Sequence, residues 1–340
     1  MVVSKMLVTA GFFVGLMPGV YANELPPEPL ANIAELPSVY SKDWLFAHDL
    51  HFNSILDGKV VLLDLAADTR QYKGSIGAAQ MASFLQGTKR QELYVSESFY
   101  ARGTRGERTD VLTIYDTENM APIAEIVLPD NKRSQSVTQE ASMQFTGNEK
   151  FLLIFNFTPA ASVTVVDIAA RKIVSDVDMP GCSLIYPLGQ QGFGTLCGNG
   201  TMVPFILDDN GQAERGETTA MFNDLDADPL FMKSVRLGDM TYFPSFGGRI
   251  QALDMSAEKP VLKTPWSIND GQVGPEGWLP SGWQIIAGGE TTNELYVLVQ
   301  EGAGPGDHKS GGTEVWVLDP EEQKLVRRIS LKTWGVTIEV

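Results

Sequence analysis

The chain has 340 residues, of which 43% are hydrophobic, and it carries 26 Lys and Arg against 42 Asp and Glu, for a net charge of −16. This composition is that of a folded globular protein. The acidic balance argues against binding to nucleic acid or to an anionic membrane, because phosphate groups are bound by clustered Lys and Arg.

The N-terminus predicts a secretory signal over residues 1–22. Lys5 precedes an apolar stretch, and Val20, Tyr21 and Ala22 offer a small-residue cleavage site. The apolar stretch is shorter than the ~20 residues that cross a bilayer, although an uncleaved anchor is the alternative. Since no later stretch predicts a transmembrane helix, we expect a soluble, exported protein of the periplasm. Residues 23–39 are rich in proline and predict an extended lead-in.

A strand that ends in Asp recurs along the rest of the chain. The copies are Val60–Asp64, Leu112–Asp116, Val163–Asp167, Ile250–Asp254 and Val315–Asp319, with a degenerate copy at Pro204–Asp208. Successive copies are 41 to 65 residues apart, and each lies between two further β-prone runs. This period is typical of the four-stranded blades of a propeller. Because one such sheet cannot cover both of its faces alone, we predict an all-β propeller over residues 40–340 with six blades.

A polar connector at residues 102–110 links two strands of the clearest repeat, and its composition predicts a loop. Its arginines form a basic island in an acidic chain. Propellers use such loops as binding surfaces. Arg105, Arg108 and Asp110 are therefore predicted to dock a partner or, as an equal alternative, to brace the loop through pairs of Arg108 with Asp110 or Glu107.

Signatures of catalysis and of metal binding are missing from the sequence. There is no HExxH and no GxSxG motif. The alternating carboxylates of 224–228 lack the Gly and the Glu that a calcium loop needs at its sixth and twelfth positions, so they predict a solvated loop. Gly302–Gly306 opens no helix and predicts a hairpin tip, not a phosphate site. We expect no catalytic residue and no metal in this chain.

The two cysteines of the chain are Cys182 and Cys197. An even number of cysteines in an exported chain implies a disulfide. We expect it to tie the end of the third predicted blade to a strand of the fourth. A redox or metal pair is the alternative, but the spacing is not CxxC and no His is near in sequence.

Several longer motifs together resemble the heavy subunits of quinoprotein amine dehydrogenases, the methylamine and aromatic amine dehydrogenases. They are RGERTD at Arg105–Asp110, FTPAASVTVVDI at Phe157–Ile168, Cys182 followed by IYP at Ile185–Pro187, Cys197, GWLPSGWQ at Gly277–Gln284, DHK at Asp307–Lys309 and EVWVLD at Glu314–Asp319. The resemblance covers residues from about Tyr40 to the end. It implies a propeller of the seven-bladed type, so we expect the last blade to be missing from this sequence, unless the ring has six blades.

The resemblance also implies how the work is divided between subunits. The redox centre of this family, tryptophan tryptophylquinone, and the catalytic Asp lie on a separate light subunit. The complex has two heavy and two light subunits, oxidises a primary amine to an aldehyde and ammonia, and passes electrons to a cupredoxin of the amicyanin or azurin type. This chain is then expected to hold no cofactor, and its six tryptophans to pack between blade sheets.

The resemblance and the loop pattern single out a few further residues. Phe52 matches a phenylalanine that lines the substrate channel, with core packing as the alternative. His308 and Lys309 lie on a long connection and are predicted interface residues, as are Trp278 and Trp283, for which blade packing is equally favoured. Two other functions remain open: a free-standing propeller that binds a ligand or a protein, and a propeller enzyme with its own cofactor.

Overall fold

The structure, a computed structural model, describes residues 35–51, 57–129, 131–268, 277–304 and 306–340. These residues form six antiparallel β-sheets arranged as the blades of a propeller. Blade 1 contains β1 (Trp44–Asp49), β2 (Gly58–Asp64) and β3 (Tyr72–Ala78). Blade 2 contains β4 (Ser83–Gln86), β5 (Glu92–Arg102), β6 (Arg105–Asp116) and β7 (Pro122–Val127). Blade 3 contains β8 (Met143–Phe145), β9 (Phe151–Asn156), β10 (Ser162–Asp167) and β11 (Lys172–Asp178).

The remaining three blades are built in the same way, with one extra short strand each in blades 5 and 6. Blade 4 contains β12 (Cys182–Leu188), β13 (Gly192–Cys197), β14 (Met202–Leu207) and β15 (Ala213–Arg215). Blade 5 contains β16 (Val235–Leu237), β17 (Met240–Pro244), β18 (Arg249–Asp254), β19 (Val261–Leu262) and β20 (Trp266–Ser267). Blade 6 contains β21 (Leu279–Pro280), β22 (Ile286–Gly289), β23 (Glu294–Gln300), β24 (Gly312–Asp319) and β25 (Lys324–Gly335). The extra strands are β20, which pairs with β18, and β22, which pairs with β23. The described residues include two single-turn 3-10 helices, Glu140–Ser142 and Asp307–Lys309, and no helix that could cross a membrane.

The recurring aspartate has a structural cause. In every blade the Asp-ended strand is the one before the outermost strand, and the Asp carboxylate accepts hydrogen bonds from backbone N–H groups of the turn that follows. Asp116 Oδ1, for example, accepts from Glu118 and Asn119 at 2.9 and 3.0 Å. A short carboxylate that reaches its own backbone two or three residues on holds a tight turn closed. The repeat is therefore a turn signal, and the prediction of six blades is confirmed.

Blade 1 differs from the others in the number of its strands. Three of its strands lie in the described residues, in the order β1-β2-β3, and its Asp-ended strand is the middle one. By comparison with blade 2, β1 occupies the place of a second strand. A strand on the axial side of β1 is absent from the described part of the chain.

Adjacent blades bury their faces against each other. The largest buried cluster joins blades 3, 4 and 5, and further clusters join blades 1 and 2, blades 2 and 3, and blades 5 and 6. Between blades 4 and 5, the rings of Tyr186 and Phe243 meet edge to face with centroids 5.0 Å apart. Both side chains are almost completely buried. Each blade thus needs its neighbour to bury the apolar face of its sheet.

Two local predictions need correction. Cys182 and Cys197 do form a disulfide, but it joins β12 and β13, two paired strands of blade 4, and does not link blades 3 and 4. The reason is that β12 already begins at Cys182. The predicted loop at 102–110 is also wrong, because β5 and β6 continue as a long hairpin whose connector is only 103–104.

Candidate functional site

The connections of each blade alternate between two faces of the propeller, because each sheet is a meander. On one face lie short turns such as 87–91 and 117–121, and none of the turns described there exceeds seven residues. The opposite face carries the connections between blades, including 128–139 and 216–234. We call this surface the long-connection face. Long segments on a rigid β scaffold are where such folds bind other molecules.

Several large apolar side chains on the long-connection face are exposed. Met221 and Phe157 are 68% and 67% accessible to solvent, and Phe99, Leu225 and Met232 are also exposed. Large exposed apolar side chains also lie elsewhere, such as Leu65 in a short turn and Tyr72 on β3. On the long-connection face they supply apolar groups of the kind that interaction surfaces use. The face therefore has the chemistry of a docking site.

The inner segments of four blades converge on a cavity of about 180 Å³. Its lining includes Glu140 from the start of blade 3, Tyr186 from blade 4, Lys233 from the entry to blade 5 and Gln284 from the entry to blade 6. The cavity thus lies where the first strands of successive blades meet, and its walls are polar on several sides.

Trp283 connects two blades across this region. Its indole Nε1–H donates a hydrogen bond to the backbone oxygen of Thr138, at 3.0 Å, and its backbone N–H donates to the oxygen of Val336, at 2.5 Å. Thr138 precedes blade 3, whereas Trp283 belongs to the entry of blade 6. The ring is therefore held in one orientation by distant parts of the chain.

Glu140 has the most unusual acid–base environment in the cavity. Burial, with a smaller contribution from the charge of Glu339, raises the pKa of Glu140 to about 7. Burial also raises the pKa of Glu339. Both residues are exposed to solvent as a whole. Protein atoms nevertheless crowd their carboxyl groups and disfavour the charged form. At neutral pH, Glu140 is therefore partly protonated and can donate as well as accept a hydrogen bond.

A cluster of basic and aromatic side chains lies next to Trp283. The Lys233 ammonium is 3.9 Å from the centroid of the Trp283 ring, a cation–π contact. His308 stacks on Phe246 with centroids 4.3 Å apart. Burial, and then the charge of Lys309, lower the pKa of Lys233. Burial, followed by Lys309 and Lys233, lowers the pKa of His308. We call Lys233, Trp283, His308 and Lys309 the basic–aromatic cluster.

The structure thus brings together three residues that the sequence singles out separately. Trp283 lies in the GWLPSGWQ motif, and His308 and Lys309 form part of DHK on another connection. Lys233 completes the cluster, but its surroundings in the sequence contain no motif, so sequence reasoning misses it. Only the convergence of the connections before blades 5 and 6 places it against Trp283.

The predicted residues of blade 2 occupy a different place. Arg108 makes two hydrogen bonds to the Asp110 carboxylate, at 2.7 and 2.8 Å, which is the bracing pair considered from the sequence. Arg108 also donates to the backbone oxygen of Arg133, at 2.8 Å. Asp110 is buried, and Arg105 is exposed near the hairpin tip.

Arg133 is the central residue of this network, and the sequence does not indicate it. Its side chain is buried and donates to Ser98 Oγ at 2.6 Å and to the backbone oxygens of Gln80 and Met81 at 2.9 and 2.7 Å. Ser98 donates in turn to Asp110 at 2.5 Å. Burial lowers the pKa of Arg133 to about 10, and the Asp110 charge opposes this. The network joins the root of the hairpin to connections on both sides.

Trp278, also predicted as a possible anchor, packs inside blade 6. Its ring lies 5.8 Å from that of Trp316, and the guanidinium of Arg328 lies 4.6 Å above Trp278. It therefore contributes to blade packing. Phe52, the predicted channel residue, lies outside the described residues.

No group of three or more His, Cys, Asp and Glu side chains in the described ranges has the geometry to hold a metal ion. What these residues do form is a propeller of packed blades with a polar cavity between four of them and an apolar, locally basic face. The fold and this face together define a propeller scaffold whose long-connection face is suited to binding another molecule.

The comparisons with known proteins identify the family. Residues 50–340 match the family model of the methylamine dehydrogenase heavy chain, and the chain belongs to that family. It is 28% identical over 261 residues to the methylamine dehydrogenase heavy chain of Methylobacillus flagellatus, covering 76% of this chain and 64% of that one. It is 29% identical over 244 residues to the heavy chain of Paracoccus versutus, covering 69% and 55% respectively. The matched segment thus spans less than two thirds of either relative.

Two solved structures share the fold. A protein from Lactobacillus plantarum superposes with a TM-score of 0.57 at 12% identity, covering 88% of this chain and 85% of that one. A putative 6-phosphogluconolactonase from Bacteroides uniformis gives a TM-score of 0.55 at 10% identity, covering 85% and 82%. At such identities the likeness concerns the fold alone.

Proposed function

We propose that this chain is the non-catalytic heavy subunit of a periplasmic amine dehydrogenase. The complex oxidises a primary amine to an aldehyde and ammonia and passes the electrons to a cupredoxin. The observation that carries the proposal is the family match over residues 50–340. The docking chemistry of the long-connection face is consistent with a chain that works by holding another subunit.

The redox group of this complex belongs to the partner. Tryptophan tryptophylquinone, made from two tryptophans of the light subunit, supplies the acceptor for the electrons of the amine. The two tryptophan rings that pack together here, Trp278 and Trp316, lie in the core of blade 6 beneath Arg328, a position suited to packing. This chain would therefore serve the cofactor by binding the light subunit that carries it.

This chain would contribute in three ways. The rigid ring positions the light subunit, and the long-connection face provides apolar and basic contacts to it. Phe52 walls the channel by which the amine reaches the quinone and excludes bulky amines. Two heavy and two light subunits form the assembly, and export by the N-terminal signal brings it to the compartment where the cupredoxin accepts electrons.

Co-expression with the light-subunit gene, followed by purification through a tag on this chain, tests the proposal. We expect the light subunit to copurify and the complex to reduce a redox dye when a primary amine is added. The isolated chain should be colourless and inactive. A complex that forms but reduces no dye with any primary amine would exclude the dehydrogenase function.

The same experiment distinguishes the other two functions. A chain that binds no light subunit and carries no chromophore would be a free-standing binding propeller. A chain that shows a visible chromophore of its own when purified alone would be an enzyme with its own cofactor.

A further inference from the structure

We propose that the basic–aromatic cluster is an anchor for a carboxylate patch on the surface of the partner subunit. This inference rests on the proposed function for the presence of a docked subunit and adds the chemistry by which the subunit is recognised. It assigns the contact to Lys233 and Lys309, with Trp283 and His308 as the platform that holds them.

The first observation is unbalanced positive charge in an acidic protein. The connection that carries Lys309 is hydrogen-bonded to Gly282, next to the Trp283 ring under Lys233. The two lysines thus lie on neighbouring segments, and the charge of Lys309 acts on Lys233. Neither lysine takes part in an ion pair within the described residues, whereas Arg108, Arg327 and Arg328 each face a carboxylate. The Asp307 carboxylate offsets part of the positive charge at His308. Because neither ammonium group has an ion-pair partner of its own, an arriving anion still relieves the repulsion between the two lysines.

The second observation is that Trp283, Lys233 and the backbone at His308 are held in place before any partner binds. The Trp283 ring is fixed by its bond to Thr138, and Lys233 lies over that ring. The backbone oxygen of His308 accepts from Gly282 at 3.0 Å, which ties its connection to the segment before Trp283. Preorganised charges lose little conformational entropy on binding, so they contribute more affinity than mobile surface lysines.

The net charge of −16 limits which class of anionic partner can bind to the cluster. Nucleic acid and anionic bilayers present charge over a wide area and would be repelled by the rest of the chain. At physiological salt, attraction reaches only about 8 Å, so two lysines attract only what lies directly on them. A protein with a localised carboxylate patch meets this condition.

Apolar contacts beside the cluster also favour a protein partner. Met232 precedes Lys233 in the chain and is 39% exposed, and Met221 and Leu225 are exposed on the same connection. Protein interfaces combine an apolar centre with charges that set orientation. The geometry therefore fits a partner whose carboxylates lie next to an apolar patch.

The test is the affinity of the light subunit for a Lys233→Gln/Lys309→Gln double variant. The matched control is Lys172→Gln/Lys332→Gln, which removes two exposed lysines from outer strands. We expect the first variant to bind about tenfold more weakly at low salt and to lose much of its dependence on salt. The control should bind as the unchanged protein does. Thermal unfolding by circular dichroism checks that both variants are folded.

A second measurement uses the isolated chain and a labelled Glu-rich peptide, with a Gln-rich peptide of equal length as control. Fluorescence anisotropy should show binding of the Glu-rich peptide alone, and the cluster variant should weaken it.

The outcomes separate the two proposals. If the cluster variant binds the light subunit with unchanged affinity and salt dependence, this inference is wrong and the proposed function stands. If neither the unchanged chain nor the cluster variant binds the light subunit, the proposed function fails. The peptide measurement then tests the anchor by itself, and equal binding of the Glu-rich peptide by the unchanged chain and the cluster variant would overturn the inference. Binding to phosphatidylserine vesicles that the cluster variant abolishes would also overturn it, because the cluster would then face a membrane.

Discussion

Glu140 illustrates how the fold changes the behaviour of a single residue. Its pKa rises to about 7 from a usual value of 4.5, first because of burial and second because of Glu339. Between these two pH values the folded chain binds more protons at this site than the unfolded chain. The free energy of unfolding must therefore fall as the pH rises through this window, and the loss is complete above the folded pKa.

Replacing Glu140 with Gln should remove this pH dependence. Because water reaches the side chain and screens its charge, we expect a gain of only about 1 kcal/mol at about pH 8 and almost none at about pH 5. Urea unfolding at the two pH values measures it. Glu258→Gln, at an exposed position, is the control and should leave the profile unchanged. A Glu140→Gln profile parallel to that of the unchanged chain would contradict the assignment.

Phe52 is the residue through which this chain is expected to influence the choice of amine. In the assembled complex, Phe52→Ala should raise kcat/KM for a bulky aromatic amine relative to a small aliphatic one by about tenfold, because a smaller wall admits the larger group. Steady-state dye reduction with the two amines measures the ratio. Leu65→Ala, an exposed residue on the short-turn face, should not change it. An unchanged ratio for Phe52→Ala would favour the core-packing alternative.

The hairpin of β5 and β6 shows how an element can contradict its local composition. Gly and Arg residues predict a loop, but the register continues through Ser98↔Asp110 and Tyr100↔Arg108 almost to the tip. The hydrogen bonds of Arg133, Ser98 and Asp110 at its root make the extended form stable. Such a network depends on residues that are far apart in sequence, so propensity alone cannot predict it.

Removing Arg133 should destabilise the hairpin root strongly. Arg133→Met leaves the carbonyl oxygens of Gln80 and Met81 without their donor and deprives Asp110 of a nearby cation. We expect a loss of about 3 kcal/mol, because the partners remain buried. Urea unfolding measures it. Arg105→Met at the exposed tip is the control and should change stability by under about 0.5 kcal/mol. Equal effects of the two changes would exclude the network as a stabilising feature.

The disulfide gives a second prediction at the scale of elements. Cys182 and Cys197 lie opposite each other on β12 and β13 and close a loop with a sequence separation of 15. Replacing both with Ser should cost about 3 kcal/mol, mainly by freeing the unfolded chain. Chemical denaturation of the variant, compared with the oxidised and the reduced natural chain, measures the cost. Loss of stability only in the variant, and none on reduction, would point to a packing effect.

At the scale of the whole molecule, the blades stabilise one another. Phe243 of blade 5 is fully buried against Tyr186 of blade 4. An isolated blade would expose both of its faces, so cohesion comes from the interfaces between blades. The propeller is therefore stable only as a set of neighbouring sheets.

Phe243→Ala should therefore destabilise the neighbouring blades as well as blade 5. We expect a loss of about 3 to 5 kcal/mol with transitions that still coincide by circular dichroism and tryptophan fluorescence. Phe157→Ala, at an exposed position, is the control and should have almost no effect on stability. Separate transitions by the two probes would show that the blades unfold independently.

Much of the fold follows from local sequence. The six Asp-ended strands predict the six blades because each Asp closes a turn with its own neighbours in the chain. The GWLPSGWQ motif around Trp283 and the DHK segment are likewise short and local, so the sequence alone is enough to indicate them as candidate contact residues. The disulfide follows from there being two cysteines, although its place within blade 4 does not.

The sequence by itself determined the repeat, the all-β class and the motifs of the family, because these depend on residues near one another in the chain. Only the tertiary structure decided that Lys233 lies over Trp283, that Arg133 connects the hairpin root to its neighbours, and that Glu140 holds its proton near neutral pH. Each of these depends on contacts between segments that are far apart in the chain, such as those of Glu140 and Glu339. Burial and charge at contacts between distant segments are properties of the folded chain, so no short stretch of sequence can predict them.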